Sequence, residues 1–228
     1  MKILITGASG QLGKTLIENA PKGIEILSPS SEILDLNNQS NCLEYVKNNN
    51  PNWIINCGAY TNVEKAEKEK KLAFSINSEA PFTFAKALKI NGGNLIHISS
   101  DYVFDGQINF PYPPSFKTSP ISTYGKSKEL GEKKILKYKK IKNKFFILRT
   151  SWLISKYGNN FLSKMLYLHK SKDFINVVSD QFGCTTSCHS LSYICWQLIQ
   201  KEESENHEGL RSPEILHWCD SGITSWFD

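Results

Sequence analysis

The sequence predicts an α/β fold in which helices cover both faces of a doubly wound parallel sheet. Apolar runs of strand length alternate with amphipathic stretches of helix length. The apolar runs are nearly continuous, which is typical of parallel strands buried on both faces. With 228 residues, of which 40% are hydrophobic and 21% charged, the chain can bury a substantial core.

Five strands are predicted before Trp152, separated by helical stretches. The predicted strands are residues 2–6, 24–28, 53–59, 94–100 and 145–152. Helices are expected over residues 10–20, in a stretch that ends near Pro51, over 72–90 and over 124–136. In the third of these, Pro81 marks either a kink or a helix start. These elements define a predicted first domain, residues 1–152.

After Trp152 the alternation changes, and we expect a smaller, partial second lobe over residues 153–228, interleaved with the sheet. Helices are predicted at 159–170 and 190–201, and short strands at 175–179 and 215–218. Thr224 is expected to cap a helical turn beginning at Ser225. A helix beginning so close to the last residue predicts a C-terminally truncated chain.

Composition and charge exclude several classes of protein. The net charge is +5, but it comes almost wholly from lysine, whereas nucleic-acid contacts favour arginine. The lysine-rich segment 133–144 is therefore interpreted as a solvated helix face, and no nucleic-acid partner is predicted. No apolar run has the length of a membrane span and no signal peptide is evident, so a cytoplasmic protein without membrane contact is expected. The six cysteines form no CxxC pair and are expected to be reduced and unligated.

A glycine-rich turn, "TGASGQLG", follows the first predicted strand and begins a helix. Gly7, Gly10 and Gly13 would let main-chain N–H groups approach a pyrophosphate at the helix N-terminus. The spacing is GxxGxxG rather than GxGxxG, so a purely structural turn remains an alternative. The motif predicts a dinucleotide at the carboxyl edge of the sheet, where such sheets bind ligands.

Two further motifs lie at the same edge. Ser99 and Ser100 end the fourth strand, and either hydroxyl is a candidate to face the crevice. Tyr124 and Lys128 are neighbours at i and i+4 on a predicted helix. A free phenol has a pKa of about 10, and a nearby cation lowers it, which would let the tyrosine exchange a proton with a carbonyl or an alcohol.

With these motifs together, the chain resembles the extended short-chain dehydrogenase/reductase superfamily and, more narrowly, the dTDP-4-dehydrorhamnose reductase family. Besides the glycine turn and "YGKSK", the motifs that carry the resemblance are "NCGAYTNVEKAE", "ISSDYVFDG", "LRTSW" followed by "GNNF", "DQFGCTT" and "SGITSW". The narrower family is indicated by "SDYVFDG" together with "RTSW" and "DQFG". The resemblance implies an NAD(P)-binding Rossmann fold. It also implies an NAD(P)H-dependent reduction of the C4 keto group of dTDP-4-dehydro-L-rhamnose, a nucleotide-sugar step in polysaccharide biosynthesis.

The resemblance also implies a role for each matching residue. It places Ser100, Tyr124 and Lys128 in catalysis, with Tyr124 as proton donor and Lys128 holding the nicotinamide ribose and lowering the tyrosine pKa. The implied substrate-binding residues are Val63, Ser100, Asp101 and Trp152. The implied cofactor-binding residues, besides Tyr124 and Lys128, are Gly7, Gly10, Gln11, Leu12, Gly13, Asp35, Leu36, Ala59, Tyr60 and Thr61.

Departures from the family pattern limit what is carried over. Some members hold Mg²⁺ through glutamates, but the matching positions are Thr15 and His189, so no metal is predicted. Ser30 and Ser31 follow the second strand, where no Asp or Arg selects the cofactor, so NADPH or NADH is expected with a preference for NADPH. The dTDP-sugar is the predicted partner, and a homodimer is compatible with the resemblance.

Two alternative functions stay open on the sequence alone. Another nucleotide-sugar epimerase or dehydratase of the superfamily would carry the same glycine turn and Tyr/Lys pair. A non-catalytic NADP-binding regulatory subunit, similar to that of methionine adenosyltransferase, would share the fold, although the intact Ser100, Tyr124 and Lys128 argue against it.

Overall fold

A parallel sheet forms the centre of the computed structural model, which describes residues 1–138, 142–204 and 212–228. Six of the described strands form this sheet in the order β2-β1-β3-β4-β5-β9, and every pairing in it is parallel. The described strands are β1 Lys2–Thr6, β2 Glu25–Leu27, β3 Trp53–Asn56, β4 Asn94–Ser100, β5 Phe145–Thr150, β6 Leu153–Ile154, β7 Phe182–Gly183, β8 Thr186–Ser187, β9 Glu214–His217 and β10 Thr224–Ser225.

Helices cover both faces of the sheet, as the sequence predicts. The described α-helices are α1 Gln11–Glu18, α2 Gln39–Asn49, α3 Val63–Ala66, α4 Lys70–Phe74, α5 Ala80–Asn91, α6 Thr123–Ile135, α7 Phe161–His169 and α8 Cys188–Ser204. Among these residues, no helix combines the length and the apolar character that crossing a membrane requires.

The alternation of side chains along each strand divides the core into two layers. Ile3 and Ile5 pack on one face, in a cluster that includes residues of α1 and α8. Leu4, between them, packs on the other face with residues of α2 and α5. Both faces of β1 are therefore buried from solvent, which explains why its sequence is continuously apolar.

The prediction of a doubly wound parallel sheet is confirmed. The first and fourth predicted strands have the observed bounds, whereas the third and fifth end earlier, because their last predicted residues turn toward the site. Around Pro81 the helix is continuous: a π-helical turn, Ser75–Glu79, joins α4 to α5, and the proline lies in the first turn of α5. Because the helix continues through this turn, Pro81 does not begin a separate helix; its missing N–H falls where the π-helical turn already interrupts the regular α-helical hydrogen-bond ladder.

Three local predictions are wrong. Residues 175–179 form no strand. Thr224 does not cap a helical turn: residues 224 and 225 form β10, in which Ser225 pairs with Phe182 of β7, and it is the Ser225 hydroxyl that accepts from the N–H groups of Phe227 and Asp228. The lysine-rich segment 133–144 does not continue α6, which ends at Ile135, and its residues 139–141 lie outside the described residues.

Residues beyond Trp152 contribute to the main sheet. Leu191 and Trp196 of α8 belong to the same core cluster as Ile3, and β9 pairs with β5 at the sheet edge. The division of the chain at residue 152 stays a prediction.

Gly131→Ala is expected to lower the free energy of unfolding by about 1–3 kcal/mol, although alanine normally favours a helix interior. A Cβ at Gly131 would lie 2.3 Å from the backbone oxygen of Asn77, where α6 packs on the π-helical turn. Urea denaturation measures the change. Lys126→Ala, on the exposed face of the same helix, is the control and should shift the midpoint far less. A Gly131→Ala variant more stable than the parent would contradict the close approach.

Candidate active site

The predicted catalytic residues meet at the carboxyl ends of β3, β4 and β5, around a cavity of about 300 Å³. The predicted site residues that line it are Gln11, Ala59, Thr61, Val63, Ser100, Asp101, Tyr124, Lys128 and Trp152. A larger, shallower depression of about 460 Å³ lies at the amino end of β4, near Lys89 and Asn143, and contains none of them. The smaller cavity is therefore the candidate active site.

The glycine turn has the geometry that a bound pyrophosphate needs. Gly7 has a φ of 63°, and a Cβ there would lie 2.7 Å from Gly58 Cα. A Cβ at Gly13 would lie 2.3 Å from the Gly7 oxygen. Gly10 is the N-cap of α1 and provides no side-chain cap, and the first turn has no acidic residue. The first N–H groups of α1 can therefore take an anion, so these residues fit a dinucleotide.

Two other predicted cofactor residues are Leu36 and Asp35. Leu36 packs against Gly58 beside the turn, since a Cβ at Gly58 would lie 2.4 Å from Leu36 Cδ1. Asp35 is exposed beside it, and its Oδ1 accepts from the Asn37 N–H at 2.9 Å.

The side chains of Leu12 and Tyr60, two further predicted cofactor residues, are held by contacts within the protein. The side chain of Leu12 is only 4% exposed and lies in the core, so only its main chain can meet a ligand. Tyr60 donates its hydroxyl to Glu69 at 2.6 Å, and this hydrogen bond is the main reason that its pKa rises to about 12.

The two serines at the end of β4 have different partners. Ser99 also lines the cavity, but its Oγ donates to the buried Glu132 Oε1 at 2.5 Å. Ser100 Oγ donates to Asp101 Oδ1 at 2.9 Å and accepts from the Tyr102 N–H at 3.2 Å. The Ser100 hydroxyl also lies within hydrogen-bonding reach of the Tyr124 phenol, where it lowers the phenol pKa. Of the two candidates, Ser100 is the serine beside the tyrosine.

Burial dominates the electrostatics of Tyr124. It raises the pKa of the phenol to about 12, with the charge of Asp101 adding to the rise and the Ser100 hydrogen bond opposing it. The expectation that Lys128 lowers this pKa below its ordinary value is therefore wrong for this structure. The phenol is neutral near pH 7 and can act as a proton donor.

Lys128 is held at the strand ends by a backbone contact. Its Nζ donates to the Ile98 carbonyl at 2.6 Å, and the residue is only 2% exposed. Burial lowers the pKa of the amine to about 8, while the nearby Glu132 carboxylate opposes that shift. The amine is therefore still mostly charged near pH 7, one helical turn after Tyr124.

A buried ion pair supports this helix from below. Arg149 of β5 donates through Nε and Nη2 to the two carboxylate oxygens of Glu132, at 2.9 and 2.6 Å. Arg149 Nη1 also donates to the Pro114 carbonyl at 3.3 Å. Sequence reasoning missed this pair, although Glu132 falls four residues after Lys128 and Arg149 lies in the "LRTSW" motif.

Aromatic side chains form one wall of the cavity. Trp152 has a φ of 42° and stacks on Trp226 with ring centroids 3.7 Å apart. Phe161 lies against the same Trp226 ring at 4.5 Å. Trp226 and Phe161 were not predicted as site residues; the only sequence signals for them were the "SGITSW" and "GNNF" motifs.

The family of the chain follows from comparison with known proteins. Residues 1–228 match the family model described as RmlD substrate binding domain. The chain belongs to this family. A dTDP-4-dehydrorhamnose reductase of Sinorhizobium fredii is 38% identical over 226 residues, which cover 99% of this chain and 75% of that protein.

Solved structures of family members have the same fold. The dTDP-4-dehydrorhamnose reductase of Bacillus anthracis, solved in complex with NADP, has a TM-score of 0.90 at 38% identity and matches 99% of this chain and 76% of its own. The reductase of Clostridium acetobutylicum also scores 0.90, at 35% identity, over 100% of this chain and 77% of its own.

Thr15 and His189, the positions at which the resemblance would place metal-binding glutamates, have other contacts. Thr15 Oγ1 donates to the Gln11 carbonyl at 2.9 Å, and His189 Nδ1 lies 3.1 Å from Asn19 Nδ2. Within the described ranges, His, Cys, Asp and Glu form no cluster of three or more that could hold a metal ion.

Glu132→Gln is expected to lower the free energy of unfolding by about 3–5 kcal/mol, because it leaves the Arg149 charge buried without its partner. Chemical denaturation measures the change. Glu18→Gln is the matched control: it removes the same charge from the exposed pair with Lys156 and should leave the midpoint nearly unchanged. Equal effects of the two substitutions would show that the buried pair contributes no more to the free energy of unfolding than the exposed pair.

Proposed function

We propose that this chain is a cytoplasmic NAD(P)H-dependent reductase that converts the C4 keto group of dTDP-4-dehydro-L-rhamnose to the alcohol of dTDP-L-rhamnose. The observation that carries the proposal is the placement of Ser100, Tyr124 and Lys128 around one cavity at the carboxyl ends of the strands. Relatives from Sinorhizobium fredii, Aggregatibacter actinomycetemcomitans and Burkholderia thailandensis, which are 38%, 36% and 34% identical to this chain, are named dTDP-4-dehydrorhamnose reductase.

The side chains around the cavity have distinct roles in this proposal. Tyr124 donates its phenolic proton to the carbonyl oxygen, and Ser100 hydrogen-bonds the same oxygen as negative charge develops on it. The charged amine of Lys128 is assigned to the hydroxyls of the cofactor ribose. A bound nicotinamide dinucleotide supplies the hydride for the reduction.

Cofactor binding is assigned to the opposite side of the cavity. The N–H groups at Gly10–Gly13 and the side chain of Gln11 would hold the pyrophosphate, since that turn is open to an anion. Asp35 and Leu36 would lie against the adenine, and Ala59, Tyr60 and Thr61 would flank the dinucleotide.

Substrate binding is assigned to Val63, Asp101 and Trp152. The stacked pair of Trp152 and Trp226 gives the cavity a rigid aromatic wall, which excludes water from one side of the sugar. A fixed wall reduces the conformational freedom of the sugar before the proton moves, which is a positioning effect. Assembly as a homodimer stays a prediction.

The two alternative functions have weaker support. A UDP-glucose 4-epimerase from Brucella ovis shares the fold at 14% identity, with a TM-score of 0.79, which says nothing of the reaction. A non-catalytic NADP-binding subunit would not require the arrangement of Ser100, Tyr124 and Lys128 around the cavity.

Tyr124→Phe is expected to lower kcat about 10²–10⁴-fold, because it removes the proton donor and keeps the ring. The assay supplies dTDP-glucose with the upstream dehydratase and epimerase and follows NADPH absorbance. Tyr193→Phe is the control, since that tyrosine is 59% exposed on α8. Parent protein that consumes no NADPH would overturn the function, whereas an active Tyr124→Phe variant would overturn only the mechanism.

The KM for NADPH is expected to lie below that for NADH, by up to about tenfold, because the 2′-phosphate gains a hydrogen bond to a charged group. Ser30 and Ser31, which are both exposed after β2, are the proposed donors. Steady-state kinetics with each cofactor measure the ratio. Replacing both serines by alanine should bring the two KM values together, and a strong preference for NADH in the parent protein would contradict the assignment.

A further inference from the structure

A chain of polar side chains runs from the cavity floor to the carboxyl group of Asp101. The Ser100 hydroxyl contacts Asp101 Oδ1 at 2.9 Å on one side and reaches the Tyr124 phenol on the other. All three residues line the same cavity. Once Tyr124 has given up its proton, it is a phenolate that must be neutralised before the next turnover.

We propose that Asp101 returns this proton to Tyr124 by a relay through the Ser100 hydroxyl. The inference rests on the proposed reductase function and gives Asp101 a role besides the sugar contact expected from the family. Asp101 acts through Ser100 and touches neither the carbonyl carbon nor the transferred hydride.

The relay is balanced in atoms and charge. The Asp101 O–H bond breaks as a new O–H bond forms on Ser100 Oγ, while the former Ser100 O–H bond breaks and the Tyr124 O–H bond forms. The negative charge moves from the phenolate to the carboxylate. A hydroxyl both donates and accepts, so the contact seen between Ser100 and Asp101 can carry a proton in either direction.

The transfer is downhill toward Tyr124. Burial raises the pKa of Asp101 from its ordinary value to about 6, whereas the pKa of Tyr124 is about 12. A protonated Asp101 therefore loses its proton to the phenolate, and the negative charge ends on the Asp101 carboxylate, which is the weaker base.

The surroundings of Asp101 favour the protonated form. The titratable groups that face it are Tyr124 from α6, Tyr102 from the turn after β4, and Cys219 from the segment after β9. None of these is a cation, and the charge of Asp101 raises the pKa of each. The Ser100 hydroxyl and the Tyr102 N–H partly oppose the rise at Asp101. Lys128 donates to the Ile98 carbonyl and is not a member of the relay.

The sign of the pH dependence follows from this arrangement. The relay needs protonated Asp101, so its contribution to kcat is present below pH 6 and is lost as pH rises through about 6. The kcat of the parent protein should therefore fall above pH 6 toward a plateau that reflects slower proton return from water. A separate fall is expected above about pH 8, where Lys128 loses its charge.

Asp101→Asn tests the relay, because the amide oxygen can still accept from Ser100 but the side chain cannot supply a proton. We expect its kcat to be about tenfold or more below that of the parent at pH 5.5, and the two values to converge by pH 7.5. The fall in kcat near pH 6, which forms one limb of the parent's pH profile, should be absent from the profile of the variant. Ser100→Thr should keep that limb, and Ser100→Ala should lose it. Asp105→Asn, in the same loop but outside the cavity lining, should leave the profile unchanged.

The outcomes separate the relay from other roles. A limb near pH 6 that persists in Asp101→Asn overturns the relay, as does a parent profile without such a limb. A raised KM with an unchanged kcat profile would assign Asp101 to substrate contact alone. NADPH binding, followed by fluorescence, verifies that each variant is folded, and parent protein that is inactive at every pH would instead refute the reductase function.

Discussion

The Glu132 carboxylate and the Arg149 guanidinium meet where neither has access to water, at 1% and 4% exposure. A pair in this position is stable only if its geometry is good and its other hydrogen-bonding groups are satisfied. Both conditions hold: the contact is bidentate, Ser99 donates to the carboxylate, and the Pro114 carbonyl accepts from the guanidinium. Helix α6, strands β4 and β5 and the loop at Pro114 must therefore dock together.

The position of the catalytic side chains depends on this docking. Tyr124, Lys128 and Glu132 are spaced by four residues on α6, so fixing Glu132 against Arg149 fixes the rotation of the helix and turns the other two toward β4. Ser99, which donates to Glu132, precedes Ser100, so the same contact sets the end of β4. His217 of β9 lies 3.3 Å from Arg149 Nη1, and burial with this cation lowers its pKa to about 4. A neutral His217 adds no second positive charge to the pair.

Sequence reasoning predicted the sheet and the site edge because both depend on local patterns. Continuous apolar runs identify doubly buried strands, and glycines after the first strand identify a close turn. The pairing of β7 with β10 could not be predicted in this way, since a contact between residues 182 and 225 leaves no local sequence pattern. The same limit applies to Trp226, which reaches the cavity through that pairing. The ion pair of Glu132 and Arg149 was missed because charge alone does not predict burial.

The prediction that the pKa of Tyr124 is lowered was wrong for one physical reason. Spacing on a helix predicts which charge is near, whereas a pKa also depends on how much water is removed, and sequence gives little information on that. Burial opposes charge on both groups of the pair, so it raises the pKa of the phenol and lowers that of the amine. A phenol with a pKa of about 12 holds its proton until an acceptor develops negative charge beside it. The same burial makes the phenolate form, which alcohol oxidation would require, costly near neutral pH. Burial of Tyr124 thus matches the site to the reductive direction, in which a carbonyl oxygen must receive a proton.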